Sequence, residues 1–259
     1  MAEVLEHLKR IVAATSVEEV WDSHIRQMAS YGFDRALYGF TRFRTGNLEG
    51  DFGDTLVLSN HPPSYVKAFF SQKLYLASPM LVWSQHNVGA QSWGWIAKAL
   101  EDGTLAPEAR KVHALNASYG ITAGYTISFQ PTASRRSLAV IGLAAREGLT
   151  QRDADEIWAR HGTDIELQNA VMNLKVAALP QNQRRKLTDR QREVLEWVAD
   201  GKTTQNIALL VGLTKATVEK HLRLAREVLD VETTAQAVLK ASIQNQIFLF
   251  EGPDSLPTT

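Results

Sequence analysis

Between Thr214 and Arg226 the chain sets polar side chains at helical spacing: Lys215, Glu219, Arg223 and Arg226, with Lys220 beside them. Lysine and arginine can donate to guanine acceptors or to phosphate, and a glutamate can accept from cytosine N4. Behind them Val218, Leu222, Ala225 and Leu229 recur at three- and four-residue steps, which makes an apolar back. A helix with such a back and a front of donors and acceptors suits the major groove. Lys202, Thr203 and Thr204 stand at the start of the preceding helix, where backbone amides favour phosphate. Thr214, which can cap the third helix, and Thr217 complete the DNA-facing set. Taken alone, a basic amphipathic helix fits a solvated surface as well, so the surrounding elements decide the reading. His221 is expected to pack against a neighbouring helix or bond to backbone.

Those elements are legible. Thr188 followed by Gln191 is a capping box. Val194, Leu195 and Val198 form a stripe with Trp197 beside it, and Gly201 ends the helix. A second helix begins near Thr204 with Ile207, Ala208, Leu210 and Val211 expected inward, and Gly212 makes the turn. Two helices around a short glycine turn form a helix-turn-helix. The stretch 178–186, with Pro180 and a basic run, reads as a linker. Residues 1–177 form the first domain, 187–250 the second, and 251–259 a poorly ordered tail.

The first domain reads as α/β. Ser16 and Glu19 fit a capping box before Val20, Trp21, Ile25 and Met28. Segments 35–43, 55–59, 124–130 and 138–144 read as strands, the last two joined by a turn with Pro131 and Ser134. Segments 64–74 and 106–118 read as helices, and 78–101 as short helices and loops. A long helix over 150–176 is expected to turn Ile157, Ile165, Leu167, Val171 and Leu174 to its apolar side.

Other chemistry is thinly supported. The 259 residues hold no cysteine, which excludes disulfides, thiolate metal sites and cysteine nucleophiles. Seven histidines are scattered without metal-ligand spacing, and no G-x-S-x-G or phosphate loop is present; Gly142 and Gly148 sit in neither. No metal, cofactor or enzymatic activity is expected, although a dispersed catalytic triad would escape this reading. The N-terminus lacks the order of a secretory signal, and no apolar run approaches a membrane span, so a soluble cytoplasmic protein without membrane contact is expected. The net charge of zero conceals a division: residues 184–250 hold 11 Lys and Arg against 8 Asp and Glu, or +3, which leaves the remainder at −3.

Over the second domain the sequence resembles the LuxR-type DNA-binding domain of bacterial transcription factors. Leu187, Thr188, Arg190, Leu195, Trp197, Gly201, Lys202, Ile207, Ala208, Thr217, Val218, His221, Gln236 and Ala237 carry the resemblance. It implies an all-α, tetrahelical fold, a homodimer on a two-fold operator in double-stranded DNA, and leaves RNA polymerase open as a further partner. Gln191 replaces the family's usual glutamate, and Val228-Leu229-Asp230 its Lys-Leu-Gly. Residues 1–30 lack the acidic strand of a phosphorylated receiver. Residues 5–170 instead resemble the autoinducer-binding domain of the quorum-sensing subfamily, an α-β-α sandwich.

The resemblance assigns a ligand pocket to His61, Tyr65, Phe69, Ser78, Trp93 and Gly124. It implies that Trp93 donates its indole N–H to the lactone carbonyl of an acyl-homoserine lactone, and that aromatics wall the pocket. The family's aspartate, which accepts from the ligand amide, is Ser78 here; Phe69 cannot bond an acyl carbonyl; Gly142 stands where relatives often carry Ser or Thr. A modified lactone, another small molecule and no ligand all remain open. Without the resemblance, Tyr65, Phe69, Trp83, Trp93 and Trp95 read equally as core, and a DNA-binding dimer that senses nothing is the third reading.

Overall fold

Alternation along RALYGFT makes the first strand. β1 (Arg35–Thr41) buries Ala36, Tyr38 and Phe40 and leaves the intervening residues half-buried, the period of two expected of a strand between unlike layers. It pairs with β2 (Thr55–Ser59) on one side and β5 (Leu138–Ala144) on the other; β5 pairs with β4 (Gly124–Ser128), and β4 with β3 (Gly89–Ser92). The sheet order is β2-β1-β5-β4-β3, with every pairing antiparallel. The computed structural model describes residues 2–41, 55–130, 138–179 and 186–248. Residues 42 and 43 and the expected turn at Pro131 and Ser134 lie outside them, as do residues 180–185 of the linker and the tail.

Helices cover both faces of the sheet. On one face lie α1 (Ala2–Ala13), α2 (Val17–Tyr31) and α7 (Gln151–Ala178). The Tyr38 hydroxyl donates to Asn173 Oδ1 of α7 at 2.8 Å, and the Tyr125 ring stacks on Trp158 at 3.9 Å. On the other face lie α3 (Pro63–Ser71), a 3-10 turn (Leu74–Ala77), α4 (Pro79–Ser84), α5 (Gly94–Glu101) and α6 (Pro107–Ser118). Tyr65, Phe69, Leu74, Tyr75 and Val112 pack there against Leu37 and Ala144 of the sheet. The result is the α-β-α sandwich that sequence predicts.

Local chemistry sets the helix ends. The Ser16 hydroxyl caps α2 by accepting from Glu19 N–H. Glu19 itself reaches one residue further back, and its carboxylate accepts from Thr15 N–H at 2.8 Å. Gly32 closes α2 at φ 103°, a left-handed conformation glycine adopts without a Cβ penalty.

The buried side of α7 corrects a sequence expectation. Ile165 is buried, but Leu167 and Leu174 are exposed. The helix buries Gln168, Asn169, Met172 and Asn173 instead. Buried amides need partners, and this seam supplies most of them, leaving Gln168 Oε1 and His7 Nδ1 unpaired among the described residues. Asn169 Oδ1 meets His24 Nε2 at 3.0 Å, His24 Nδ1 lies 3.3 Å from His7 Nε2, and Gln168 Nε2 donates to the Tyr31 hydroxyl at 3.0 Å. Burial holds both imidazoles neutral, with His7 lowered to about 4 and His24 to about 3.

The chain divides into two compact units, Met1–Ala177 and Ala178–Thr259. The second is helical: α8 (Asp189–Ala199), α9 (Thr204–Leu210), α10 (Lys215–Leu229) and α11 (Thr234–Ile243). The Thr188–Gln191 capping box forms, and Thr233 with Gln236 repeats it at α11. Leu187, Leu195, Ile207, Val218, Leu222 and Leu229 share the core. Leu210 does not; it is exposed, as is its neighbour Leu209.

Candidate functional sites: an aromatic cavity and a helix-turn-helix face

Alternate residues of β1 and β5 meet the roof helices across a cavity of about 230 Å³. Leu37 and Gly39 of β1, Val140 and Gly142 of β5, and Thr126 of β4 line the sheet side. The roof begins at Pro62-Pro63, where Pro63 takes the first helical position of α3, a place that needs no N–H. From there Tyr65 and Phe69, four residues apart, share one side of the helix and stack at 5.8 Å. His61 sits 4.8 Å from the Tyr65 ring, and Phe70 and Tyr75 continue the aromatic wall.

Five of the six residues assigned from sequence line this cavity: His61, Tyr65, Phe69, Ser78 and Trp93. Gly124 is among the residues behind it. A Cβ there would lie 2.2 Å from the Leu143 carbonyl oxygen and 2.9 Å from the Trp93 ring. Gly124 therefore admits the indole against the sheet and does not itself wall the cavity. The Gln151 side chain fastens it from behind, accepting from Gly124 N–H at 2.9 Å and donating to Ser92 Oγ at 3.0 Å and to Asp155 Oδ1 at 2.9 Å.

The polar groups fall into clear roles. Trp93 Nε1–H donates to Thr126 Oγ1 at 2.9 Å, so the indole donor is engaged within the protein. Tyr65 donates its hydroxyl to Asn116 Oδ1 at 3.0 Å, and burial raises its pKa to about 12. Burial, with Arg35 nearby, lowers His61 to about 4 against the opposing pull of Asp34, and its Nδ1 has no partner. Ser78 stands at the N-cap of α4 but its side chain makes no capping bond. Gly142 lies opposite Thr126 in the β4–β5 ladder, and a Cβ there would meet only Trp93, at 3.7 Å, and a backbone oxygen. No Asp, Glu, Lys or Arg lines the cavity among the described residues.

Sequence reasoning missed Thr126, His113 and Asn116, which also line it. Thr126 was within reach: it lies two residues beyond Gly124 in a strand, so the two share a sheet face. His113 and Asn116 on α6 offered no such marker.

In the second unit, α10 presents the anticipated face. Thr214 caps it by accepting from Thr217 N–H at 3.2 Å, and the two hydroxyls lie 2.8 Å apart. Lys215, Glu219, Lys220 and Arg223 are exposed. Lys215 lies 3.7 Å from Glu219, and Arg223 pairs with Glu227. Exposed pairs of this kind are worth at most about 1 kcal/mol, so phosphate can displace them. Arg226 differs. It is half-buried and donates to Thr234 Oγ1 of α11 at 3.0 Å, a bond that ties two helices together. Lys202 and Thr203 are exposed at the start of α9, Thr204 is half-buried, and the Thr203 hydroxyl caps that helix by accepting from Asn206 N–H at 3.2 Å. His221 is half-buried on α10.

Comparison with known proteins gives a family for each of the two domains. Residues 16–176 match the family described as autoinducer binding domain, and residues 185–241 match bacterial regulatory proteins of the luxR family. The chain is 24% identical over 249 residues to the transcriptional activator protein AnoR of Acinetobacter nosocomialis, covering 90% of this chain and 94% of AnoR. It is 29% identical over 138 residues to the HTH-type quorum sensing-dependent transcriptional regulator RpaR of Rhodopseudomonas palustris, covering 52% and 53%. Escherichia coli SdiA shares the fold, with a TM-score of 0.52 at 17% identity over 96% of this chain and 99% of SdiA. SdiA in complex with octanoyl-rac-glycerol gives a TM-score of 0.54 at 17% identity over 94% of each chain. The chain belongs to the LuxR family: it is a transcriptional regulator of the quorum-sensing type, with an autoinducer-binding domain followed by a LuxR-type DNA-binding domain.

Proposed function

We propose that the cavity of the first domain binds an uncharged acyl compound, an acyl-homoserine lactone or a related acyl ester, and that a dimer of the chain reads a two-fold operator through α10 in the cytoplasm. The cavity carries this reading. It lies between sheet and roof, is walled by aromatics, and gathers five of the residues singled out from sequence. Apolar walls with few placed polar groups are the usual form of a small-molecule site. SdiA bound to octanoyl-rac-glycerol extends the candidates beyond lactones to acylglycerols.

On the DNA side, Lys215, Lys220 and Arg223 supply exposed donors and Glu219 an acceptor on one helix, with Lys202, Thr203 and Thr204 at the start of the helix before it. Thr214 and Thr217 order the N-terminal turn of α10. Arg226 is read as a helix tie and only secondarily as a DNA contact. Exposed Leu167 and Leu174 on α7 and Leu239 on α11 offer apolar surface for pairing. No helix of the described residues is long and apolar enough to cross a membrane.

Selection of duplexes from a random pool by the full chain, with and without N-octanoyl-homoserine lactone, tests this function. Enrichment of a two-fold sequence whose recovery changes with the ligand is expected. Recovery of no common sequence, or of one indifferent to every acyl compound tried, would overturn it.

A further inference from the structure

We propose that the cavity recognises its ligand through the ligand's carbonyl oxygen, at the Thr126 hydroxyl, and does not distinguish an acyl amide from the matching acyl ester. The inference rests on the cavity being the ligand site and specifies what that site reads.

Thr126 is 2% exposed, lines the cavity, and faces Gly142 on the β5 side of the ladder, where no side chain covers it, and Gln91 on the β3 side. A hydroxyl has one hydrogen to give and two lone pairs to receive. Trp93 Nε1–H occupies a lone pair at 2.9 Å, which turns the Thr126 hydrogen away from the indole. Among the described residues that hydrogen meets no acceptor. A buried donor without a partner favours whatever acceptor enters. For an acyl compound the acceptor is the carbonyl oxygen, which amides and esters share. Trp93 is then a positioning residue that holds the Thr126 oxygen while the hydroxyl binds.

The second half of the inference follows from charge. The described lining holds no carboxylate, and His61 is neutral. An amide N–H in this cavity meets only neutral acceptors, whose bonds are about half as strong as charge-assisted ones. Ser78, which lines the cavity without a capping bond, can accept from an amide N–H or turn and donate to an ester oxygen. His61 Nδ1, buried without a partner among the described residues, is donor or acceptor by its tautomer, so neither it nor Ser78 fixes a preference for nitrogen over oxygen next to the acyl group.

Isothermal titration of the full chain with N-octanoyl-homoserine lactone, and with the same molecule carrying an ester oxygen in place of the amide N–H, tests this. The two dissociation constants are expected to agree within about threefold. Thr126→Val should weaken both by about tenfold, and Thr126→Ser, which keeps the hydroxyl, should bind both close to wild type. Ser78→Asp should create a preference for the amide of roughly tenfold by supplying a charged acceptor. A wild-type preference for the amide of tenfold or more, or wild-type affinity in Thr126→Val, would overturn the inference while leaving the cavity as the ligand site. Binding of neither compound by the wild type would overturn the ligand-site reading and this inference with it.

Discussion

Three histidines of the first domain are buried and held neutral: His7, His24 and His61, with pKa values lowered from 6.5 to about 4, 3 and 4. In the unfolded chain each returns to its ordinary value and binds a proton as the pH falls below 6.5. Between that value and the folded-state value the unfolded chain therefore holds more protons. Stability is complete above pH 6.5 and is lost as pH falls toward 4. Well inside that window each histidine costs about 1.4 kcal/mol per pH unit, so the three together cost about 4 kcal/mol between pH 6 and pH 5. That is a large share of an ordinary domain stability of about 5–15 kcal/mol. Glu19 and Asp153, also lowered, have ordinary values of 4.5 and 3.8 and so act mainly below about pH 5. Urea unfolding followed by tryptophan fluorescence reports mainly on the first domain, because Trp21, Trp83, Trp93, Trp95 and Trp158 lie there. With a urea slope of about 1–3 kcal/mol per molar, the midpoint should fall by more than about 1 M from pH 6 to pH 5. A midpoint that does not move, or His7 and His24 ring resonances titrating near 6.5 in the folded chain, would refute the reasoning.

Four further outcomes are expected. Gly124→Ala places a Cβ against the Leu143 carbonyl and the Trp93 ring; overpacking of this kind costs about 1–3 kcal/mol, and thermal unfolding should show a lowered melting temperature. Lys215→Ala, Lys220→Ala and Arg223→Ala should each weaken DNA binding with unchanged melting, and those touching phosphate should reduce the salt slope by about one. Arg226→Ala should also lower the melting temperature of the second domain, since its bond to Thr234 joins α10 to α11. Thr188→Ala removes one arm of a formed capping box and should destabilise that domain by about 1 kcal/mol in denaturant titration.

How much was legible depended on whether local chemistry and tertiary demand agreed. β5 runs over the same seven residues that its apolar run suggests, and α6 begins one residue after its expected start because Pro107 takes the first helical position. β3 escaped notice because Gly89–Ser92 holds no β-branched or aromatic residue; its pairing with β4 makes it a strand. The burial of α7 was misread because apolar pattern alone was followed. The layer beneath it offers His24 and the hydroxyls of Tyr31 and Tyr38, so the helix buries amides that pair with them and turns Leu167 and Leu174 out. At the site, the family resemblance picked out His61, Tyr65, Phe69 and Trp93, all of which line the cavity. It did not show that the Trp93 donor is engaged by Thr126, nor that Gly124 serves the indole and not the ligand, because both depend on which strands become neighbours.

The central claim is that the cavity holds a small acyl compound. Native mass spectrometry of the full chain mixed with N-octanoyl-homoserine lactone tests it most directly, with Gly142→Leu alongside. Gly142 lines the cavity and has room for a side chain, so a leucine there would fill the space a ligand needs. The wild type should carry one added ligand mass per chain and Gly142→Leu none. A wild type that stays bare, or equal adducts on both, would contradict the account.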